Sequence, residues 1–401
     1  MGKNNEVVTN PYYTYGVLYE SENFKEWEKE KGEKYSIYRK GWSGRLEEFD
    51  HGDFPLNLNV EVTTRCNLAC TFCTHPSLDE EQMIDLPIEI YNNVVKEGKN
   101  FGLAAVNLNG LGEPLLRKDL VEFIDIAKKN GVVDIMFHTN GTVMNEKIAN
   151  QIIVAGIDKV IFSVDSPNKI TYESMRLLRA SFLKHKKGLT DNIEGTKWEK
   201  TVDNVQLLSK IRNSSGNRYP IIRATMVVTD STVTEIDEYM SLWKDVVDLI
   251  TVQDLTWRTK LLDDDVWENK EETALPTNFD EIRDLAIEKG QNFVCPYLFQ
   301  STYIHSDGLA IPCSNPNARK HMIMGDFNKQ SAKEIWNGEK YNELRDLHKK
   351  GKWYEHPVCR DCEVALVELY KVQRSDMKES QKTPHVGSDL QTEYNIWASK
   401  L

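Results

Sequence analysis

Three cysteines on one short stretch, Cys66, Cys70 and Cys73, have the spacing C-x3-C-x2-C. Three thiolates on one loop can bind three irons of a [4Fe–4S] cluster, which leaves the fourth iron open to a small molecule. A zinc site would need a fourth ligand, for which His75 is available, but zinc sites usually pair their ligands as C-x2–4-C. A disulfide would need an oxidising compartment and would leave one cysteine over. The spacing therefore favours an iron–sulfur cluster with one open iron.

Four further cysteines form a second set near the other end of the chain: Cys295, Cys313, Cys359 and Cys362. Their spacing is C-x17-C-x45-C-x2-C, and four thiolates could bind all four irons of a second [4Fe–4S] cluster. The dipeptide Asp307-Gly308 predicts a hairpin turn, which would bring Cys295 and Cys313 together. A four-cysteine zinc ribbon would use the same residues and stays an open alternative.

Alternating strands and helices must position these cysteines. Residues 56–63 (LNLNVEVT) alternate apolar and polar side chains, which predicts a strand that ends at the first cysteine loop. Further strands are predicted over 104–109, 133–138, 159–163, 221–228 and 249–254, and helices over 87–97, 120–130, 145–155, 202–212 and 233–246. Repeated βα units predict a parallel sheet with helices outside it. Six strands are too few for a full barrel, so we predict an α/β fold with a partial (β/α)6 barrel that has a lateral opening.

The domain organisation follows from the length and from changes in composition along the chain. At 401 residues the chain exceeds the usual size of one hydrophobic core. Residues near the N-terminus lack a strong period and predict an irregular or partly helical arm. An acidic connector with one helix, over 280–289, precedes the second cysteine set. We predict five segments: an arm (1–54), the barrel (55–258), a linker (259–290), a small α+β auxiliary-cluster domain (291–370) and a tail (371–401).

Charge and hydropathy exclude some partners. The net charge of −12 opposes binding to nucleic acid or to anionic lipid, both of which are polyanions. No apolar run of about 18 residues could span a membrane, and the polar N-terminus has no signal-peptide core. We therefore expect a cytoplasmic protein. The basic stretch 176–187 predicts a solvated loop, or else a dock for an acidic electron donor or an anionic substrate.

The first cysteine loop, with Phe72 just before its third cysteine, resembles that of the radical S-adenosylmethionine (SAM) enzymes. In that family the open iron chelates the amino and carboxylate groups of SAM. One electron from the cluster then cleaves SAM to a 5′-deoxyadenosyl radical, which abstracts a substrate hydrogen. The resemblance implies a partial barrel, SAM as a cofactor, a flavodoxin or ferredoxin as electron donor, and Phe72 beside the adenine of SAM.

A glycine-rich turn after the second predicted strand, residues 109–114 (NGLGEP), is similar to the family's GGEP motif. It departs from that motif because Leu111 separates the two glycines. The resemblance implies that this turn lies near the SAM amino group, with three candidate residues: Gly110, Gly112 and Glu113. Since the turn and the cysteine loop are separate loops, a bulky residue at Gly112 should weaken SAM binding more than cluster assembly.

The ends of the later strands also resemble SAM-contacting positions of the family. Thr139 and Asn140 follow the third strand and Ser163 ends the fourth, which implies contacts to the ribose and methionine of SAM. Arg223, on the fifth strand, is the candidate for the SAM carboxylate because a guanidinium pairs with a carboxylate through two hydrogen bonds. Ordinary strand-end residues, with no ligand to bind, are the alternative for all four.

Residues 325–362, which include the run 335–338 (IWNG) and the pair Cys359 and Cys362, resemble the SPASM family of auxiliary-cluster domains. A full SPASM domain usually carries two auxiliary clusters. Four cysteines support only one, as in the shortened form called Twitch. The two resemblances together imply two [4Fe–4S] clusters and SAM as the cofactors.

Three reactions are consistent with these cofactors. Residues 53–73 look like radical SAM proteins of carbohydrate modification, which favours oxidation of a sugar, aminosugar or aminocyclitol alcohol to a ketone, with the auxiliary cluster as electron acceptor. Epimerisation is the first alternative, but radical SAM epimerases generally use a free cysteine and all seven cysteines are assigned to clusters. Peptide maturation is the second, for which the 54-residue arm looks too short to recognise a peptide. A binding role with purely structural clusters is the non-enzymatic alternative.

Overall fold

Strands and helices alternate along the described part of the chain, which in this computed structural model comprises residues 7–8, 15–229, 231–255 and 279–375. The strands are β1 Val7–Val8, β2 Tyr15–Glu20, β3 Asn57–Val60, β4 Ala105–Asn107, β5 Asp134–Thr139, β6 Lys159–Ser163, β7 Ile221–Val228, β8 Leu249–Asp254, β9 Asn292–Phe293, β10 Ser301–Ile304, β11 Leu309–Ile311 and β12 Gly325–Asp326. The α-helices are α1 Glu22–Glu30, α2 Gly32–Glu47, α3 Ile88–Gly98, α4 Leu120–Lys129, α5 Glu146–Ala155, α6 Lys169–Met175, α7 Arg179–Lys186, α8 Trp198–Ser214, α9 Ile236–Trp243, α10 Phe279–Lys289, α11 Tyr297–Gln300, α12 Ala318–His321, α13 Ala332–Trp336, α14 Glu339–Lys349, α15 Pro357–Arg360 and α16 Glu363–Ser375. In these ranges no helix combines the length and apolar character that crossing a membrane requires.

Six parallel strands, β3 to β8, form the partial barrel, and each is hydrogen-bonded to the next in chain order. Alternate strand residues such as Leu58 and Val106 are fully buried in a core shared with the helices. Their neighbours Asn59 and Asn107 face the barrel interior, since side chains alternate along a strand. The predicted α/β class and partial barrel are therefore confirmed, and the barrel interior is polar.

Each edge of this barrel carries a further strand. At one edge β10 pairs in parallel with β3, which places Ser301 opposite Asn57 and Ile304 opposite Val60. At the other edge β2 pairs antiparallel with β8. The N-terminal arm, predicted as irregular or partly helical, thus contributes a strand of the main sheet in addition to helices α1 and α2. The edge strands of the sheet are therefore β12 and β2 rather than strands of the six-stranded barrel itself.

The C-terminal cysteines belong to a part of the chain that continues the barrel sheet. The predicted hairpin is present as the antiparallel pair β10–β11, with Gly308 at a φ of +84° in the turn between them. Ile304 and Trp336 are buried in the same hydrophobic core as the barrel strands. The predicted connector helix is α10, whereas linker residues 259–278 and tail residues 376–401 lie outside the described residues.

Candidate active site

The first cysteine loop begins after β3 and is fixed by backbone hydrogen bonds to two other segments. The Thr64 N–H donates to the Ile84 carbonyl at 2.9 Å. Farther along, the Ala69 N–H donates to the Leu177 carbonyl at 2.8 Å, and the Thr71 N–H donates to the Met175 carbonyl at 3.0 Å. These hydrogen bonds hold the loop against residue 84 and residues 175–177.

Each of the three sulfurs in this loop has a nitrogen donor beside it. The Leu68 N–H lies 3.5 Å from Cys66 Sγ, and the His75 N–H lies 3.4 Å from Cys73 Sγ. Burial raises the pKa of all three thiols, that of Cys70 to about 12. Buried thiolates of this kind need cations as partners and hydrogen bonds to their sulfurs, as a bound [4Fe–4S] cluster with its outer donors provides. The donor set therefore fits such a cluster.

His75 is not placed as a fourth ligand. Its Nε2 is 2.7 Å from the Thr64 carbonyl oxygen, and its Nδ1 is 3.3 Å from Arg179 Nη1. The ring is buried, and burial lowers its pKa to about 4. Because both ring nitrogens have partners in the protein, the zinc alternative for this loop loses the ligand on which it depended.

The glycine turn lies directly against the cysteine loop. The Glu113 N–H donates to the Arg65 carbonyl at 2.8 Å. A Cβ atom at Gly112 would lie 2.2 Å from the Thr63 carbonyl oxygen and 2.8 Å from that of Arg65. Backbone atoms cannot move aside cheaply, so this position requires glycine. The two loops that the sequence treats as separate are one packed unit.

This packing changes the expected effect of substitution at Gly112. We expect Gly112→Val to displace the backbone that precedes Cys66, and so to lower both the iron content of the first site and the affinity for SAM. Gly44→Ala is the matched control, because a Cβ atom there meets nothing within 4 Å. Iron analysis and equilibrium SAM binding measure the two effects. Normal iron content with lost SAM binding would contradict the packing argument.

Glu113 connects the glycine turn to the end of β5. Its buried carboxylate accepts hydrogen bonds from Thr139 Oγ1 at 2.7 Å, the Asn140 N–H at 2.7 Å and the Leu115 N–H at 3.0 Å. Burial raises its pKa in spite of these donors. The Asn140 amide reaches the cysteine loop, with Nδ2 3.0 Å from Asn67 Oδ1 and 3.9 Å from Cys66 Sγ. The structure thus brings Glu113, Thr139 and Asn140 together beside the loop, and their contacts to SAM stay predictions.

Arg176 is a candidate site residue that sequence reasoning missed. The prediction of a solvated loop is wrong for this residue, since it is buried and forms an ion pair with buried Asp165. Its Nη1 lies 3.5 Å from Cys70 Sγ, and its guanidinium lies 5.2 Å from the centre of the Phe72 ring. Of the basic residues that follow, Arg179, Lys184 and Lys186 lie in helix α7. The available signal was Asp165, two residues after Ser163, because a buried carboxylate needs a cationic partner.

Arg223 and Ser163 lie on neighbouring strands at different depths. Arg223 is opposite Ile161, and Ser163 at the end of β6 is opposite Thr225. The Arg223 Nε donates to Thr225 Oγ1 at 3.1 Å. Burial, with a contribution from the Arg223 charge, lowers the pKa of His138 to about 3. Arg223 therefore lies deeper in the barrel than Ser163, and its contact to the SAM carboxylate stays a prediction.

The second cysteine set converges on one small cavity of about 40 Å³, lined by all four cysteines together with Phe293, Val358 and Ala365. Burial and the neighbouring cysteines raise the pKa of Cys313 and Cys359, and burial raises that of Cys362 to about 12. Among the described residues, no group of three or more His, Cys, Asp or Glu side chains is arranged so that it could bind one metal ion. In a [4Fe–4S] cluster each thiolate binds a different iron. The convergence of four thiols fits that donor set.

A larger cavity of about 490 Å³, here called the interdomain cavity, separates the first cysteine loop from the C-terminal part of the chain. Thr74 and Asp79 line it from the loop side, and Leu111 lines it from the glycine turn. His305 and Arg319 line it from the opposite side. Its volume suits a small molecule.

Comparison with known proteins gives matches to two family models. Residues 60–242 match the radical SAM superfamily, and residues 295–363 match SPASM, an iron–sulfur cluster-binding domain. A probable GTP 3′,8-cyclase of Methanococcus maripaludis is 33% identical over 138 residues, which is 34% of this chain and 45% of the cyclase. The match thus spans less than half of the length of such relatives.

Two further similarities extend over most of the chain. A tungsten-containing aldehyde ferredoxin oxidoreductase cofactor-modifying protein of Pyrococcus furiosus is 23% identical over 336 residues, 76% of this chain and 86% of that protein. The structure of Streptococcus suis SuiB bound to S-adenosylmethionine covers 83% of this chain and 76% of SuiB, with a TM-score of 0.55 and 13% identity. The likeness to SuiB extends to the fold alone.

Proposed function

The chain belongs to the radical SAM superfamily and carries a SPASM domain, and on that premise we propose that it oxidises a sugar, aminosugar or aminocyclitol alcohol to a ketone. Its cofactors are two [4Fe–4S] clusters and SAM. When bound, the first cluster and SAM supply the 5′-deoxyadenosyl radical. We assign the first cluster to the loop of Cys66, Cys70 and Cys73, and the second to the four C-terminal cysteines.

The observation that carries this proposal is the division of all seven cysteines into two separate sets. Conversion of an alcohol to a ketone removes a hydrogen atom, a proton and one electron. The hydrogen atom would leave as 5′-deoxyadenosine, and the four-cysteine set gives the chain an acceptor for the electron. Since no cysteine remains outside the two sets, the chain has no spare thiol to return a hydrogen atom, which disfavours epimerisation.

His305 is our candidate for the proton acceptor. It lines the interdomain cavity, and burial lowers its pKa from the usual value, which favours the neutral imidazole. The carboxylate of Glu61 lines the same cavity but accepts hydrogen bonds from Leu111, Ser306 and Arg319. A carboxylate with this many donors is a weak base. We therefore assign His305 to accept the proton of the alcohol, and Glu61 to position its hydrogen-bond partners.

Peptide maturation is the competing function, because SuiB has also been solved with its precursor peptide SuiA. In the described residues of the N-terminal arm, β2 pairs with β8 and α1 and α2 follow it. This arrangement favours a role of the arm in the barrel over separate peptide recognition. The free thiols suit a reducing compartment, so we propose a cytoplasmic location and a flavodoxin- or ferredoxin-type electron donor.

The reaction in heavy water tests oxidation against epimerisation. We expect a product that has lost two hydrogens, together with 5′-deoxyadenosine in equal amount, because no thiol is available to deliver a solvent-derived hydrogen. Mass spectrometry of a screen of sugars and peptides provides the readout. A product of unchanged formula with deuterium at a non-exchanging carbon would mean epimerisation, and deoxyadenosine formed only with peptides would favour maturation.

A further inference from the structure

Basic side chains on the wall of the interdomain cavity distinguish it from the rest of this acidic protein. The cavity is lined by Lys186 from α7 and by Arg319 and Lys320 from the C-terminal part, against two acidic residues, Glu61 and Asp79. The chain as a whole has a net charge of −12. A cluster of positive charge in an acidic protein concentrates anions locally.

Both acidic residues of the wall are already engaged by protein donors. Glu61 is buried, and its oxygens accept hydrogen bonds from Arg319 Nη1 at 3.0 Å, Ser306 Oγ at 3.0 Å and the Leu111 N–H at 3.1 Å. The neighbouring His305 and Arg319, together with the Leu111 N–H, outweigh burial and keep its pKa below the usual range. Asp79 caps the short 3-10 helix that begins at Glu80, by accepting a backbone hydrogen bond. The charge of Glu61 is therefore compensated by Arg319, and Asp79 is the one exposed carboxylate among the residues that line the cavity.

Glu61 fixes the side chain of Arg319 and uses only part of its N–H donors. Its bonds to Glu61 and its contact with His305, at 3.5 Å, all use Nη1. A guanidinium has five N–H donors in a fixed fork, which matches the oxygens of a phosphate or carboxylate. Within the described residues, Nε and Nη2 thus stay available at the cavity wall. Because Glu61 fixes the side chain, little rotamer entropy is lost when a second oxyanion binds.

From this geometry we infer that the interdomain cavity binds its substrate through an acidic oxyanion group, a phosphate or a carboxylate, held by Arg319 with Lys186. The inference rests on the proposed function and narrows its substrate to acidic sugars, such as sugar phosphates, nucleotide sugars or uronic acids. Leu111 of the glycine turn and Thr74, next to Cys73, line the same cavity. A ligand anchored by its oxyanion would therefore extend toward the first cysteine loop.

Calorimetric titration of the anaerobic holoenzyme with glucose, glucose 6-phosphate, glucuronate and inorganic phosphate tests the inference without turnover. We expect one or both acidic sugars to bind and glucose to bind at least tenfold more weakly. Binding of glucose 6-phosphate alone would identify phosphate as the recognised group, and binding of glucuronate alone would identify carboxylate. Failure of every acidic probe to bind, or equal binding of glucose, overturns the inference.

Matched variants separate a specific contact from general charge. Lys186→Gln should weaken binding of the acidic sugar about fivefold, whereas Lys187→Gln, one residue beyond α7 and outside the cavity lining, should leave it unchanged. Arg319→Lys keeps the charge beside Glu61 but removes the planar fork, so it should weaken binding about tenfold while the thermal midpoint changes little. Equal effects of Lys186→Gln and Lys187→Gln would contradict a defined subsite.

The binding experiment can fail independently of the proposed function. A neutral sugar that yields deoxyadenosine and a ketone, with no acidic probe bound, would overturn the oxyanion site and leave the oxidation standing. An acidic sugar that binds as expected but yields no ketone would support the site and overturn the oxidation.

Discussion

Replacement of Cys66, Cys70 and Cys73 together by alanine is expected to abolish SAM cleavage and to leave a second cluster in place. The reason is that the two cysteine sets share no residue, and the four C-terminal cysteines line a separate small cavity of their own. Iron content should fall by half, from about eight to about four irons per chain. Iron and sulfide analysis after anaerobic reconstitution, with deoxyadenosine measured in parallel, gives both results.

The converse variant provides the control. Cys359→Ala should reduce the second cluster, because Cys359 lines its cavity, and should leave the first cluster with its iron. SAM cleavage would then continue without formation of ketone. A triple variant of the first loop that holds one zinc ion and no iron would show that the C-terminal set is a zinc ribbon, and would remove the proposed electron acceptor.

Arg176→Ala is expected to destabilise the protein by about 3–5 kcal/mol, since it leaves buried Asp165 without its cationic partner. The same change removes the donor that lies 3.5 Å from Cys70 Sγ. Loss of this positive charge should also weaken SAM binding, because the cysteine loop would lose a neighbour that fixes it. Urea unfolding and SAM titration measure the two losses.

Arg223→Ala is the comparison for this prediction. Arg223 is only partly buried and donates to Thr225, so we expect a smaller loss of stability. A double variant, Asp165→Asn with Arg176→Ala, should recover part of the lost stability by removing the uncompensated charge. If Arg223→Ala removes SAM binding and Arg176→Ala leaves it intact, Arg223 is the SAM-binding arginine, as the sequence predicts.

The sequence predicts best those features that depend on local patterns. Strands β6, β7 and β8 begin and end at the predicted residues, and Gly or Pro residues lie next to the apolar runs of β6 and β7. The hairpin at Gly308 follows from a dipeptide that prefers such turns. The spacing of Cys66, Cys70 and Cys73 predicts the kind of cluster, since these three ligands lie on a single loop.

Features that depend on distant partners could not be predicted in this way. The burial of Arg176 depends on Asp165, and a basic stretch read alone looks solvated. The need for glycine at position 112 comes from carbonyl oxygens of Thr63 and Arg65, which belong to another loop. Strand β2 lies in a segment without an apolar period, and its partner is more than 200 residues away. Local preference says nothing about such contacts.

The two strands added at the barrel edges have a consequence for how the chain folds. Residues 15–20 cannot pair with β8 until residues 249–254 have been synthesised. Likewise, the edge of residues 57–60 cannot pair with β10 until residues 301–304 have been synthesised. Pairings of such high contact order form slowly, and unpaired sheet edges invite aggregation in the meantime. A chain truncated before residue 301 would keep its first cysteine loop yet expose the backbone of β3. The C-terminal domain therefore acts as a late folding partner of the barrel, and expression of the barrel alone should give mainly insoluble protein.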